Sequence, residues 1–137
     1  KVWQDDLDFV VAPDHPLAQR RHISLADLCA YPAVFPGSHT FTRKIALQLF
    51  DQAGLTPHIS MSTNYMETIK MMVSIGLAWS VLPHSMLDDS VVRLPITDAH
   101  LSRDLGYIVH TERTLSNAAQ AFMQMLNTTD SIDDKAP

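Results

Sequence analysis

The run His58-Ile59-Ser60-Met61-Ser62-Thr63-Asn64-Tyr65-Met66-Glu67-Thr68-Ile69-Lys70-Met71-Met72-Val73-Ser74-Ile75-Gly76-Leu77-Ala78-Trp79-Ser80-Val81-Leu82-Pro83 sets the fold class. Its opening residues, 58–62, alternate in polarity, the pattern of a short strand. Thr63 or Asn64 then caps a helix that runs through Ile75, with Glu67 in the first turn where the helix dipole favours a carboxylate. Met66, Ile69 and Met72 or Val73 fall at helical spacing and supply its buried face. The two methionines there are most simply core filler. Gly76 stops the helix, and residues 77–82 are apolar enough for a buried strand. Pro83 fits the first position of a short helix over 84–87.

The same alternation extends in both directions. Residues 7–12 read as a strand ended by Pro13-Asp14-His15-Pro16. Ser24 is placed to cap a short helix, with Asp27 at its third position in an acidic variant of the capping box. Residues 31–36 form a second apolar strand bounded by prolines. Gly37-Ser38-His39-Thr40 then opens a helix whose stripe is Ile45, Ala46, Leu49, Phe50 and Ala53, with Gly54 as its left-handed cap and Pro57 beyond. Downstream, 91–96 and 105–111 read as strands. Thr114 or Ser116 caps a last helix presenting Leu115, Ala118, Ala119, Phe122 and Leu126 on one face. Strands and helices that alternate in this way predict an α/β layer with a mostly parallel sheet flanked by helices.

Composition narrows the function classes. With 137 residues, 46% of them hydrophobic, the chain fits one domain or two lobes of something larger, and can bury a core. A formal charge of -5 makes it a poor grip for a phosphate backbone by itself. A single cysteine, Cys29, excludes an intramolecular disulfide or a zinc site of several thiolates. The longest apolar run, within 76–83, is broken by Ser80, so no membrane span is expected. Lys1 opens neither a signal nor a transit peptide and leads straight into a strand, which reads as a cut inside a longer protein. Residues 128–137 are rich in aspartate and read as a disordered tail.

In α/β sheets, ligands sit beyond the carboxyl ends of the strands, where loops enter helix N-termini. Two such junctions carry suitable chemistry: Ser38, His39 and Thr40, with Thr42 and Arg43 one turn on, and Thr63, Asn64 and Tyr65 after Ser62. Exposed N–H groups and small hydroxyls make an anion site without a charged side chain. Any one of Ser38, Thr40, Thr63 and Asn64 could simply cap its own helix. Two hydroxyl-rich junctions in one small sheet give the binding reading its weight. His39 adds a donor at the first junction.

Catalytic and metal patterns fail on spacing. The seven histidines lie apart, without a pair at helical ligand spacing and without H-E-x-x-H, so neither a metal nor a cofactor is expected. There is no G-x-S-x-G elbow, and no G-x-G-x-x-G or Walker loop. Cys29 falls on the apolar side of a short helix and reads as packing. An enzyme is not expected.

The order of motifs resembles a known family. Phe9-Val10-Val11-Ala12-Pro13-Asp14-His15-Pro16-Leu17-Ala18 and Ile23-Ser24-Leu25-Ala26-Asp27-Leu28 look like the entry into the second lobe of a LysR-type transcriptional regulator. Residues 67–78 followed by Val81-Leu82-Pro83 resemble that family's helix, glycine and strand ending in Leu-Pro, and 116–126 resembles its final helix. The resemblance spans about residues 7–126. It implies an effector-binding domain of type 2 periplasmic-binding-protein fold, in which 1–110 form the second lobe with both crossover strands, at 7–12 and 105–111. Residues 111–127 would form a helix returning to the first lobe. It further implies a cytoplasmic sensor that binds a small effector, often a carboxylate or other anion, between lobes. Ser38, His39, Thr40, Thr63, Asn64 and Tyr65 would contribute the second lobe's contacts, and the helix start at Pro83 and His84 would face the same cleft. Self-association as a dimer or tetramer is implied too. Contact with DNA would be made only through an N-terminal winged helix-turn-helix outside this chain. A solute-binding receptor of a transport system, built on the same fold, is the alternative.

Overall fold

The computed structural model describes residues 1–129. In chain order the elements are β1 (Trp3–Val11), α1 (Leu25–Leu28), β2 (Ala33–Phe35), α2 (Phe41–Gln52), β3 (Ile59–Ser62), α3 (Met66–Ser74), β4 (Ser80–Pro83), β5 (Val92–Arg93), β6 (Leu101–Leu105) and α4 (Asn117–Thr129). Short 3-10 turns cover Pro16–Gln19 and His84–Met86. Each helix starts and stops for a visible reason. The backbone N–H of Ser24 donates to Asp27 Oδ2 at 2.9 Å, closing the acidic capping box of α1. Gly54 and Gly76, at φ +69° and +83°, end α2 and α3 in the left-handed conformation that a side chain disfavours.

The chain divides into two compact units. The larger, Asp6–Ser102, holds the layered core. There β2 pairs with β3 in parallel, Ala33 bridges to Trp79 in parallel, and β1 pairs antiparallel with both β4 and β5. Strands β3, β2, β4 and β5 therefore share one direction, and β1 is inserted against them. Leu7 lies opposite Pro83 and Val10 opposite Arg93, which brings the second half of β1 to the carboxyl ends of its neighbours. Strand direction is thus mostly shared, but the ladders that β1 makes with β4 and β5 are antiparallel, and β2 with β3 forms the parallel one. Apolar composition alone does not carry strand direction, so the reversal has no signature in residues 7–12.

Both faces of the sheet are covered, which is why its strands read as continuous apolar runs. On one face Phe9, Val11, Phe35, Trp79 and Val81 pack with Leu25, Leu28, Ala46 and Phe50 from α1 and α2. On the other, Val10, Val34 and Leu82 pack with Ile69 and Val73 from α3. Trp79 is the centre of the first cluster. Its ring stacks on Phe50 at 5.8 Å and meets Phe35 edge-on at 5.5 Å. Its Nε1 donates to the carbonyls of Leu28 and Tyr31 at 2.9 and 3.1 Å.

The smaller unit comprises 1–5 and 103–129 of the described residues. Within it, Val2 N–H donates to Leu105 C=O at 2.8 Å, and Arg103 Nε to Asp5 at 2.7 Å. Here the structure corrects the expected strand at 105–111. The strand is Leu101–Leu105, and Ile108 is 99% exposed. The ladder is set by the N-terminal strand, as these two contacts show, and the apolar run Tyr107-Ile108-Val109 lies past its end. Ser116 caps α4, its Oγ accepting from Ala119 N–H at 3.2 Å. The expected apolar face of α4 is not buried, and Phe122 is exposed. Helix α4 runs to Thr129, and the remainder of the tail expected from 128 lies outside the described residues. No helix among the described residues is long and apolar enough to cross a membrane.

Two expectations follow. Trp79→Ala removes a fully buried ring and takes away the indole donor of the Tyr31 carbonyl, so it should destabilise folding by about 3–5 kcal/mol in denaturant titrations. Asp27 and Asp88 are both held below the ordinary carboxylate range, Asp27 chiefly by the Ser24 backbone N–H and Asp88 chiefly by Lys70. A depressed folded-state pKa gives stability that is complete above the unfolded value and is lost as pH falls below about 4. Denaturation midpoints should therefore drop on acidification, and less steeply in Asp88→Asn.

Candidate functional site

The strand directions place the ends of β2 and β3 side by side, and the two expected junctions leave from those ends. At the first, Thr40 caps α2. Its Oγ1 accepts from Arg43 N–H at 3.4 Å and donates to Gly37 C=O at 2.8 Å. Ser38 and His39 are exposed, and their side chains make no hydrogen bond among the described residues. At the second, Thr63 Oγ1 accepts from Tyr65 N–H at 3.4 Å, and Tyr65 stands 76% exposed.

The helix α3 is not capped as its sequence suggests. Tyr65 occupies the cap position, without a side-chain bond to the helix. Asn64 turns to the other junction, where its Oδ1 accepts from Gly37 N–H at 2.8 Å. A long-range acceptor was available to it because β2 and β3 are neighbours, and that pairing lies beyond local capping rules. Gly37 makes the approach possible: a Cβ there would stand 2.6 Å from Asn64 Oδ1. Arg43 adds a second tie, its Nη1 donating to Pro36 C=O at 3.2 Å and Ser62 Oγ at 2.8 Å. The two junctions are thus one linked surface.

Arg43 is the cation of this surface, and the first-junction residues lead to it. Ser38, His39, Thr40 and Arg43 line a surface hollow of about 780 Å³, together with Lys44 on the flank of α2. Thr63, Asn64 and Tyr65 lie outside that hollow. Asp51 also lines it, so its wall carries two cationic side chains against one carboxylate, and the helix start at one end adds N–H groups that favour an accepting ligand.

Other candidates resolve into structural roles. His15 Nδ1 accepts from Leu17 N–H at 3.1 Å, and burial lowers its pKa, so it serves as a neutral cap. Burial pushes the Cys29 thiol up, away from the reactive thiolate. Among the described residues no group of three or more His, Cys, Asp or Glu could hold a metal ion. His84 lies beside β1, where its Nδ1 is 2.6 Å from Asp8 Oδ2. Asp8 is only 7% exposed and also accepts from Arg93 Nε at 2.7 Å. Sequence reasoning passed over this carboxylate. The signal was there: one acid inside the apolar run Leu7-Asp8-Phe9-Val10-Val11 requires partners when buried.

A layered α/β unit whose strand ends feed linked helix starts is the architecture of a type 2 periplasmic-binding-protein lobe. Comparison with known proteins gives the family. The model of the LysR substrate binding domain matches residues 1–130, and the chain belongs to that family. It is 28% identical over 129 residues to the transcriptional dual regulator GltC of Bacillus subtilis, covering 91% of this chain and 43% of that protein. To a probable RuBisCO transcriptional regulator of Cyanidioschyzon merolae it is 32% identical, covering 90% and 44%. The chain thus spans less than half the length of these relatives. Among solved structures, the effector binding domain of QuiR in complex with shikimate superposes with a TM-score of 0.78 at 22% identity, over 95% of this chain and 63% of that one. The CcmR regulatory domain of Synechocystis in complex with 2-PG gives 0.79 at 20% identity, over 93% and 64%.

Gly37→Ala tests the linkage. The added Cβ displaces Asn64, so amide hydrogen exchange at residue 37 should accelerate, while the denaturation midpoint changes little. Unchanged exchange at 37 would mean that the two junctions are not tied.

Proposed function

We propose that this chain is the effector-sensing portion of a LysR-type transcriptional regulator. It binds a small anionic effector at the linked helix starts and controls DNA binding by a winged helix-turn-helix outside the chain. The observation that carries this reading is the family match over residues 1–130. Shikimate in the QuiR neighbour is itself a carboxylate, which supports an anion here. In this scheme Ser38 and His39 supply donors from one helix start, which Thr40 holds in place through its bonds to Gly37 and Arg43, and Thr63, Asn64 and Tyr65 line the other. Arg43 contributes charge between them.

The effector acts by differential affinity. An anion that binds one arrangement of the sensor more tightly than another shifts their populations, and the shift is limited to that difference. Subunit contacts in a dimer or tetramer would carry the change to DNA. The chemistry involved is hydrogen bonding and charge neutralisation, with no bond made or broken and no cofactor needed. Such a sensor works in the cytoplasm.

The coding sequence immediately upstream of Lys1 is the first test. A helix-turn-helix followed by a long linker helix supports the regulator. A signal peptide followed by a first lobe would instead make the protein a transport receptor. In the regulator, Thr40→Ala and Asn64→Ala should each weaken effector-dependent DNA binding by about tenfold, roughly the value of one hydrogen bond. Thr40→Ala also removes a cap worth about 1 kcal/mol. Thr40→Ser, which keeps the hydroxyl, should restore both. Loss of response only in proportion to loss of stability would reduce these residues to capping.

A further inference from the structure

A second hollow lies at the same edge of the sheet, away from the α2 and α3 starts. Its volume is about 200 Å³, and Asp8, Arg93, Leu94, Thr97 and His100 are among the residues lining it. That is below the roughly 300–1,000 Å³ of pockets that enclose a drug-sized ligand, so it admits one polar group rather than a whole molecule.

A buried carboxylate organises the polar groups around it. Asp8 is buried and both its oxygens are taken, Oδ1 by Arg93 Nε at 2.7 Å and Oδ2 by His84 Nδ1 at 2.6 Å. One guanidinium already balances one carboxylate. Arg93 is nevertheless bound through Nε alone, and its Nη groups have no protein partner among the described residues. Asp8 therefore fixes the orientation of the guanidinium while leaving its terminal fork free. A fork so held is the geometry that receives a carboxylate or phosphate through two parallel hydrogen bonds. Thr97 and His100, both exposed, add a hydroxyl and an imidazole to the same wall. His100 makes only a long contact elsewhere, its Nε2 lying 3.6 Å from Asp6 Oδ1, an ion pair when the ring is protonated and too long for a hydrogen bond.

We infer that Arg93, Thr97 and His100 form a subsite for the oxyanion group of a small molecule, positioned by the buried Asp8. It is distinct from the surface at Thr40 and Asn64, and does not depend on the function proposed for that surface.

NMR titration of the 137-residue chain at constant ionic strength tests this, with malonate and inorganic phosphate as separate probes. The expected result is saturable movement of the Arg93 Nε–H signal and of the Thr97 and His100 amides with at least one probe, which also distinguishes carboxylate from phosphate. Arg93→Lys keeps the positive charge beside Asp8 but lacks the fork, and should bind about tenfold more weakly. Should that variant fail to fold, Thr97→Val, on an exposed loop, should still weaken binding severalfold. Shifts that rise linearly with both probes overturn the inference, as does wild-type affinity in Arg93→Lys or, where that variant does not fold, in Thr97→Val. The amides of Thr40 and Asn64 report the other surface in the same spectra, so each reading stands or falls separately.

Discussion

The larger unit is organised around the indole of Trp79. Its backbone exchanges hydrogen bonds with Pro32 and Val34, joining β4 to β2. Its ring packs on Phe9 from β1, Phe35 from β2 and Phe50 from α2. Its Nε1 satisfies two carbonyls at the end of α1. A buried indole is stable only when that N–H finds an acceptor, so the end of α1 and the middle of the sheet are fixed by a single side chain. The ends of β2 and β3 inherit their positions from this anchor, and the helix starts inherit theirs from the strand ends.

The reversed direction of β1 matters as much for chemistry as for packing. It lays the second half of β1 beside the ends of β4 and β5, so Asp8 can hold Arg93 and His84 together. Asp8, Arg93 and His84 accordingly meet at these strand ends, while the two faces of the sheet are closed by apolar side chains. A rigid sheet carrying loops of that kind is the usual division between scaffold and recognition.

The sequence made the elements legible where periodicity and capping are local. The stripe through Ala46 and Phe50, the box at Ser24 and Asp27, and the stops at Gly54 and Gly76 follow from neighbours a few residues apart. The family also was legible, from the order of motifs between Phe9 and Phe122. What escaped was set by partners distant in sequence. Asn64 reads as a cap but bonds Gly37, and residues 105–111 read as a strand although β6 lies earlier, where it meets the N-terminal strand. Of the six residues proposed for the site, all lie at the two junctions, yet the ties between those junctions run through Arg43 and Gly37. Neither tie can be read from a window of ten residues.

The close approach of Gly37 and Asn64 also bears on how this surface can vary over time. Because a Cβ at 37 would push aside the Asn64 amide that points there, the two positions are coupled in sequence. A lineage that exchanges Gly37 gives up the tie between the junctions, and residue 64 is then free to change with little further loss. Changes of ligand preference at this edge should therefore tend to arise as paired substitutions.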